Sequence, residues 1–318
     1  MEYTPSGPAT ERVGPSGTAV AAGEFAEVIA RPSSLRQRLR RNRLVRYLIF
    51  DWLNLIGVLI VALIVFLMIF GARIAPYSPT VPDYNYMSSG PSTVHWFGTD
   101  QIGYDIFSRI LAGAVYSVGT AAISLAAAVA FGLALGALSG FAGGLVDEII
   151  MRITDMFLAF PILILALAVA ASRGPGLESA ILALAVGYWP IYARLLRGQV
   201  LSLKEREYVE SARALGTSPL GIMWRHILPN ALGPIIVEIT LDIGGVILFI
   251  ASLSFIGMGA QPPSPEWGAM INAGRDYLRT AWWMCTFPGL ALTLAVLGFN
   301  LVGDGLRDAL DPRSVKLH

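Results

Sequence analysis

Long uncharged stretches alternate with short polar ones along this chain, and the alternation predicts its elements. Trp52 to Phe70 carries no charge. At about 1.5 Å per residue, it makes a helix roughly as long as a bilayer's hydrocarbon core is thick. Leu111 to Phe141 is also uncharged, long enough to span with tilt or to continue beyond the bilayer. Further apolar runs extend from about Met156 to Ser172, from Ser179 to about Leu196, from about Gly233 to Met258, and from Ala281 to Gly303. Arg194 is placed to snorkel at the end of the fourth run. The pattern predicts an all-α integral membrane protein with six transmembrane helices and both termini on one side.

Composition agrees. A chain of 318 residues that is 55% hydrophobic and 14% charged, with a mean hydropathy of +0.61, is too apolar for an ordinary soluble domain. The net charge of +1 supplies no global basic field for nucleic acid. Cys285 stands alone, which excludes an internal disulfide framework and a cysteine-based metal cluster. His95, His226 and His318 lie far apart, so no histidine metal site is expected.

The charges are segregated. Residues 1–30 are rich in Pro, Gly, Ser, Thr and Ala and read as a disordered tail without a signal-peptide core. Residues 31–48 hold seven arginines directly before the first span; that position favours a juxtamembrane membrane-lipid anchor over a nucleic-acid patch. Placing the N-terminus inside puts eighteen basic residues on the cytoplasmic side and five outside, so N-in/C-in topology is expected. The organisation is then a tail (1–30), a basic segment (31–48), a first helix (49–71) and an outer loop (72–109). A core (110–304) with a cytoplasmic loop (200–232) and a tail (305–318) follow. Trp96, Phe97 and Trp267 in the outer loops are either headgroup-level anchors or caps over a pore mouth.

One cytoplasmic stretch is unusually polar. "EYVESARALGTSPLGIMWRHILPN", Glu207 to Asn230, reads as two short helices broken at Gly216 and Pro219. Tyr208, Ser211, Ala212 and Leu215 fall on one face at helical spacing, and Arg206 and Arg213 stand near enough to hold Glu210. Gly216 is suited to the left-handed conformation that ends a helix. Ser218 and Pro219 are suited to cap and start the next. A DNA-binding reading fails on shortness and near-neutrality. A helix lying on lipid would show a bulkier apolar face. A small, polar-flanked face suits a protein groove.

Glu210-Ser-Ala212 with Gly216, followed by Ile227-Leu228-Pro229, resembles the "EAA" cytoplasmic loop of importer permeases in the ATP-binding cassette (ABC) family. Ser211 stands where alanine is common, and His226 where isoleucine is common. "RHILPN", "HWFGTDQIGYDIFSRILAG", "DMFLAFP", "LSFIGMGAQPPSPEWGAM" and "FNLVGDGLRDALDPR" narrow the resemblance to the dipeptide/oligopeptide/nickel branch, most like its C-type subunit. The resemblance implies a type I ABC importer permease architecture and no enzymatic activity in this chain. It implies that Glu207, Tyr208, Glu210, Ser211, Ala212, Leu215, Gly216 and Pro229 couple to an ATPase groove, with tight packing expected at Gly216. It also implies a second, B-type permease, two ABC ATPases or a fused pair, and an extracellular or lipid-anchored substrate-binding protein. No cofactor is expected on this chain, and ATP and Mg would bind the ATPases. Neither Lys204 nor Lys316 follows a glycine, so the phosphate-binding G-x-x-x-x-G-K-[ST] loop is absent from the sequence.

Tyr104 and Ile250 stand where the branch often has arginine and glutamate, and Glu238 and Asp242 where uncharged residues are expected. Those two carboxylates share a helix face near the cytoplasmic end. They read either as lining of the translocation pathway or as groups that pair with Arg225 or a partner at headgroup depth. Asp155 is expected to pair with Arg152 one turn away. Di- or oligopeptides are the leading substrate, with nickel, haem or another small solute as alternatives. An ion-driven secondary transporter would need mid-depth charges and internal repeats, and a membrane enzyme would need converging catalytic groups.

Overall fold

A computed structural model describes residues 52–310. The expected tail 1–30, the basic segment 31–48 and the last part of the 305–318 tail lie outside the described residues. We label the helices in chain order: α1 (Trp52–Ile74), α2 (Ile106–Ala142), α3 (Gly144–Leu158), α4 (Ile162–Arg173), α5 (Leu177–Lys204), α6 (Glu207–Ala214), α7 (Pro219–Ile222), α8 (Leu228–Phe255), α9 (Trp267–Gly274) and α10 (Trp283–Leu310). No strand is found among the described residues.

Five stretches are long and apolar enough to cross a membrane, α7 to α8 counting as one from Pro219 to Phe255. The third expected span differs from the rest. In place of one straight helix over 156–172, α3 and α4 form a pair bent by 90°. Pro161, the residue before α4, lacks the N–H that would continue α3, and its ring clashes with a preceding turn. The pair therefore makes a sixth crossing only as a broken span. The fifth span also differs: it starts inside the polar loop and not near Gly233.

The closest packing is between α2 and α5. Gly132, Gly136 and Gly140 recur at every fourth residue and so line one face of α2. A Cβ at Gly132 would stand 2.4 Å from the Trp189 carbonyl oxygen, one at Gly136 2.4 Å from that of Ala193, and one at Gly140 2.8 Å from Cβ of Val200. Only hydrogen at these positions lets the two backbones approach so closely. α1 lies across α2 and α10 by the same means, at Gly71 against Leu111 and at Gly57 against Leu301.

The bundle has two ends. At one, the 75–105 and 258–282 segments lock together. Arg109 is buried and donates to the carbonyls of Pro79 (3.2 Å) and Ser264 (3.0 Å). His95, also buried, meets Asp105 at 2.9 Å, and Asp105 caps α2 by accepting from the Ser108 N–H. Glu266 caps α9, accepting from the N–H groups of Gly268 (2.9 Å) and Ala269 (2.8 Å) and from Ser117 Oγ (3.2 Å). Burial pushes its carboxyl above the usual carboxylate range, and these hydrogen bonds pull the other way. Of the two sequence readings of Trp267, interfacial anchor or cap over a pore mouth, its burial rules out the first. Trp267 is 1% exposed, with its indole N–H on the Ile110 carbonyl at 3.1 Å. Phe97 stacks on Phe287, whereas Trp96 stays exposed.

The α2–α5 approach is directly testable. Gly136→Val should destabilise the fold by about 1–3 kcal/mol through overpacking, seen as a lower midpoint of thermal unfolding in detergent. Gly245→Ala, with nothing within 4 Å of the new Cβ, should leave the midpoint nearly unchanged.

Candidate functional site

At the other end of the bundle the chain leaves α5, forms α6 and α7, and enters α8. Glu207 and Glu210 occupy the first turn of α6 and Arg213 its last, the arrangement the helix dipole favours. Val209 and Ala212 are its buried residues. They pack with Leu196 and Val200 of α5, Ile222, Met223 and Ile227 beyond the break, and Ala231 and Ile235 at the start of α8. The loop thus has its own small core, continuous with the ends of two long helices.

The break follows local rules. Gly216 has φ +80°, the left-handed conformation that glycine adopts at low cost. The Gly216 N–H reaches the Arg213 carbonyl at 3.0 Å and the Thr217 N–H reaches that of Ala212 at 3.1 Å. This is a Schellman closure of α6. Ser218 Oγ accepts from the Gly221 N–H at 3.2 Å, with Pro219 in the first turn. Among the described residues nothing lies within 4 Å of a Cβ at Gly216. Within this chain the requirement for glycine is its dihedral angle.

Pro229 does not end the helix at the loop's exit. It has no N–H to return to Arg225, and the chain absorbs the mismatch as a π turn over Met223–Ile227, with the Leu228 N–H on the Met223 carbonyl. Asn230 donates its side-chain amide to the His226 carbonyl at 2.6 Å. The loop therefore runs into α8 as one continuous rod.

The predicted coupling residues divide between two surfaces. Glu207, Tyr208, Glu210, Ser211, Leu215, Gly216 and Pro229 are exposed, Leu215 at 87%. Ala212 is separated from them, since it packs inward beside Val209. Glu210 makes no ion pair among the described residues; it faces outward. Two exposed apolar side chains were not singled out from the sequence, Leu220 at 62% and Trp224 at 69%. The available signal was a tryptophan inside an otherwise polar loop.

Glu238 and Asp242 stand elsewhere. Asp242 accepts a hydrogen bond from the Tyr192 hydroxyl at 2.6 Å; Glu238, half-buried one turn away, has no hydrogen bond or ion pair among the described residues. Neither pairs with Arg225. Asp242 lies in the middle of α8, opposite the middle of α5, and not near a helix end as the sequence suggested. Asp155 likewise pairs across helices, with Arg194 at 2.5 Å, and not with Arg152.

A family profile described as the binding-protein-dependent transport system inner membrane component matches residues 132–316. The probable D,D-dipeptide transport system permease protein DdpC of Escherichia coli K12 is 46% identical over 262 residues, covering 82% of this chain and 88% of that protein. The glutathione transport system permease protein GsiD of Escherichia coli O6:K15:H31 is 47% identical over 256 residues, covering 80% and 84%. An inward-facing structure of the MetNI methionine ABC transporter superposes with a TM-score of 0.52 at 21% identity, covering 64% of this chain and 96% of that one, which speaks for the fold. With the apolar spans and the helix pair at their end, these likenesses place the chain among the inner-membrane permease components of binding-protein-dependent ABC importers, in the C-type branch of the peptide permeases.

Proposed function

We propose that this chain forms half of a translocation pathway for di- or oligopeptides and passes the work of separate ATPases to it through the 207–229 loop. The supporting observation is the loop's construction. A helix pair is anchored by its own core to α5 and α8, yet turns Tyr208, Leu215 and Glu210 away from the bundle, where nothing among the described residues covers them. The relatives named for D,D-dipeptide and glutathione transport favour a peptide over nickel or haem as substrate. A second permease would complete the pathway, with Glu238 and Asp242 lining it. An extracellular or lipid-anchored binding protein would deliver the substrate. ATP and Mg would be bound by the ATPases, and this chain would catalyse nothing. The excess of basic residues on the loop side supports a cytoplasmic loop with both termini inside. ATP-driven closure of the ATPases would pull on the loop and shift α5 and α8 as rigid bodies.

The decisive assay combines copurification with reconstitution. This chain should copurify with a second permease and two nucleotide-binding subunits, and uptake of a labelled dipeptide into proteoliposomes should require ATP and the binding protein. Uptake by this chain alone, driven by an ion gradient, would overturn the reading.

Two substitutions separate docking from folding. Leu215 has almost no area to lose in this chain, so Leu215→Asp should leave thermal stability intact while retention of the ATPases falls at least about tenfold. Unchanged retention would remove Leu215 from the contact. Gly216→Val forces a β-branched residue into the left-handed region, at a cost of about 1–2 kcal/mol. Uptake per ATP hydrolysed should fall about fivefold or more, with Gly216→Asn milder because asparagine tolerates that conformation. Wild-type uptake by Gly216→Val would eliminate the role assigned to this glycine.

A further inference from the structure

Asp147, in the first turn of α3, is held from two other helices. Arg197 of α5 donates Nε to Oδ1 at 2.6 Å and Nη2 to Oδ2 at 2.7 Å, the fork-on-fork geometry that makes an arginine–carboxylate pair strong and directional. Ser139 of α2 donates its hydroxyl to the same carboxylate. Two turns further along α5, Lys204 donates to the carbonyls of Gly140 (2.5 Å) and Phe141 (2.9 Å). Those carbonyls belong to the last turn of α2, the negative end of its dipole. Within one short stretch before the chain turns into α6, α5 therefore grips the end of α2 and the beginning of α3.

α3 has few other holds among the described residues. Thr154 is its one buried residue, and its hydroxyl returns to the Ile150 carbonyl of its own helix. The Arg194–Asp155 pair leaves both side chains more than half exposed, and exposed pairs of that kind contribute little. Toward its C-terminus, α3 is parted from α2 and α5 by an apolar groove of about 580 Å³ lined by Phe131, Ile153, Phe157 and Trp189. Phe157 meets Trp189 edge-on across it. The Arg197–Asp147 pair is better shielded, with side chains 32% and 17% exposed.

We propose that Arg197 and Asp147 act as a positioning latch that makes the bent α3–α4 span follow the α6–α7 loop. This rests on the coupling role proposed for that loop. Movement entering at the loop reaches α5 through their shared core. The latch then carries it sideways to a helix that packing holds only weakly. Lys204 keeps α2 in the same body, so the end of the bundle moves as one piece and the bend at Pro161 takes up the difference.

The test uses the complete importer: this permease, its partner permease, the ATPases and the binding protein in proteoliposomes, with labelled L-alanyl-L-alanine as probe. Asp147→Asn and Arg197→Gln should lower uptake per ATP hydrolysed at least about fivefold, while hydrolysis itself stays within about twofold. Arg197→Lys, which keeps the charge and loses the fork, should fall between Arg197→Gln and the wild type. Asp155→Asn should match the wild type. An unchanged ratio in Asp147→Asn, or an equal loss in Asp155→Asn, would overturn the latch. A second measurement needs no variant of the pair. Spin labels at Leu145→Cys and Leu220→Cys, both exposed, in a Cys285→Ser background should keep their mutual distance when ATP is added. A change in that distance would refute the latch. Uptake by the wild-type importer that ignores ATP would defeat the coupling reading itself, whereas ATP-driven uptake with an unaltered ratio defeats only the latch.

Discussion

The loop end of this protein depends on the distance between α2 and α5. With three α2 glycines facing Trp189, Ala193 and Val200, the two backbones touch at positions where any side chain would hold them apart. Dispersion contacts are short-ranged, so this approach creates a continuous packed surface that no pair of bulkier faces would give. It also sets the reach of the polar groups. Lys204 meets the carbonyls of Gly140 and Phe141 because α5 runs beside the last turn of α2. Leu133, Ala137 and Phe141 of α2 come within contact of the loop's core for the same reason.

The polar groups obey a second constraint, that a buried charge is costly unless it is hydrogen-bonded. At the far end, Arg109, Asp105 and Glu266 are buried charged side chains, and each is spent on backbone. Asp105 and Glu266 satisfy helix N-termini, and Arg109 satisfies two loop carbonyls thirty and more than a hundred and fifty residues away. At the loop end, a Schellman closure, a serine cap and a π turn do the same for α6, α7 and the start of α8. The two ends differ in what remains outside. The far end turns its tryptophan, Trp267, inward, whereas the loop leaves Trp224, Leu215 and Tyr208 facing out.

How much of this was legible in the sequence follows from the range of the forces involved. Uncharged runs announced the spans because the cost of burying charge acts residue by residue. Gly216, Ser218 and Pro219 announced the break because caps and left-handed turns are settled within a few residues. The 90° bend was not legible: Pro161 marks where a helix stops, but its neighbours decide where the next one points. The π turn that lets the helix continue past Pro229 was not legible either. Ala212 shared a helical face with Tyr208 on spacing alone, and only the position of α5 shows that its side is covered. Asp147 and Arg197 lie fifty residues apart, with no periodic signal to join them.

The depth of Asp242 bears on how the two halves of the molecule communicate. The sequence placed it near a helix end, whereas it stands at mid-helix, so its depth does not separate this chain from an ion-driven transporter; family membership does. Its bond to Tyr192 is a polar tie between the middles of α5 and α8, the two helices into which the loop is built. Under the proposed coupling role, α8 is a lever whose near end begins at Pro219, and α5 is gripped at its last turns by α2 and α3. A pull on the loop therefore loads the two helices unequally. With the loop end moving as one piece, any difference between the two helices would appear farther along, at mid-length, where the Tyr192 hydroxyl must keep a carboxylate in reach, which makes that hydrogen bond the natural place for the loop's movement to become a change in the polarity of the bundle's interior.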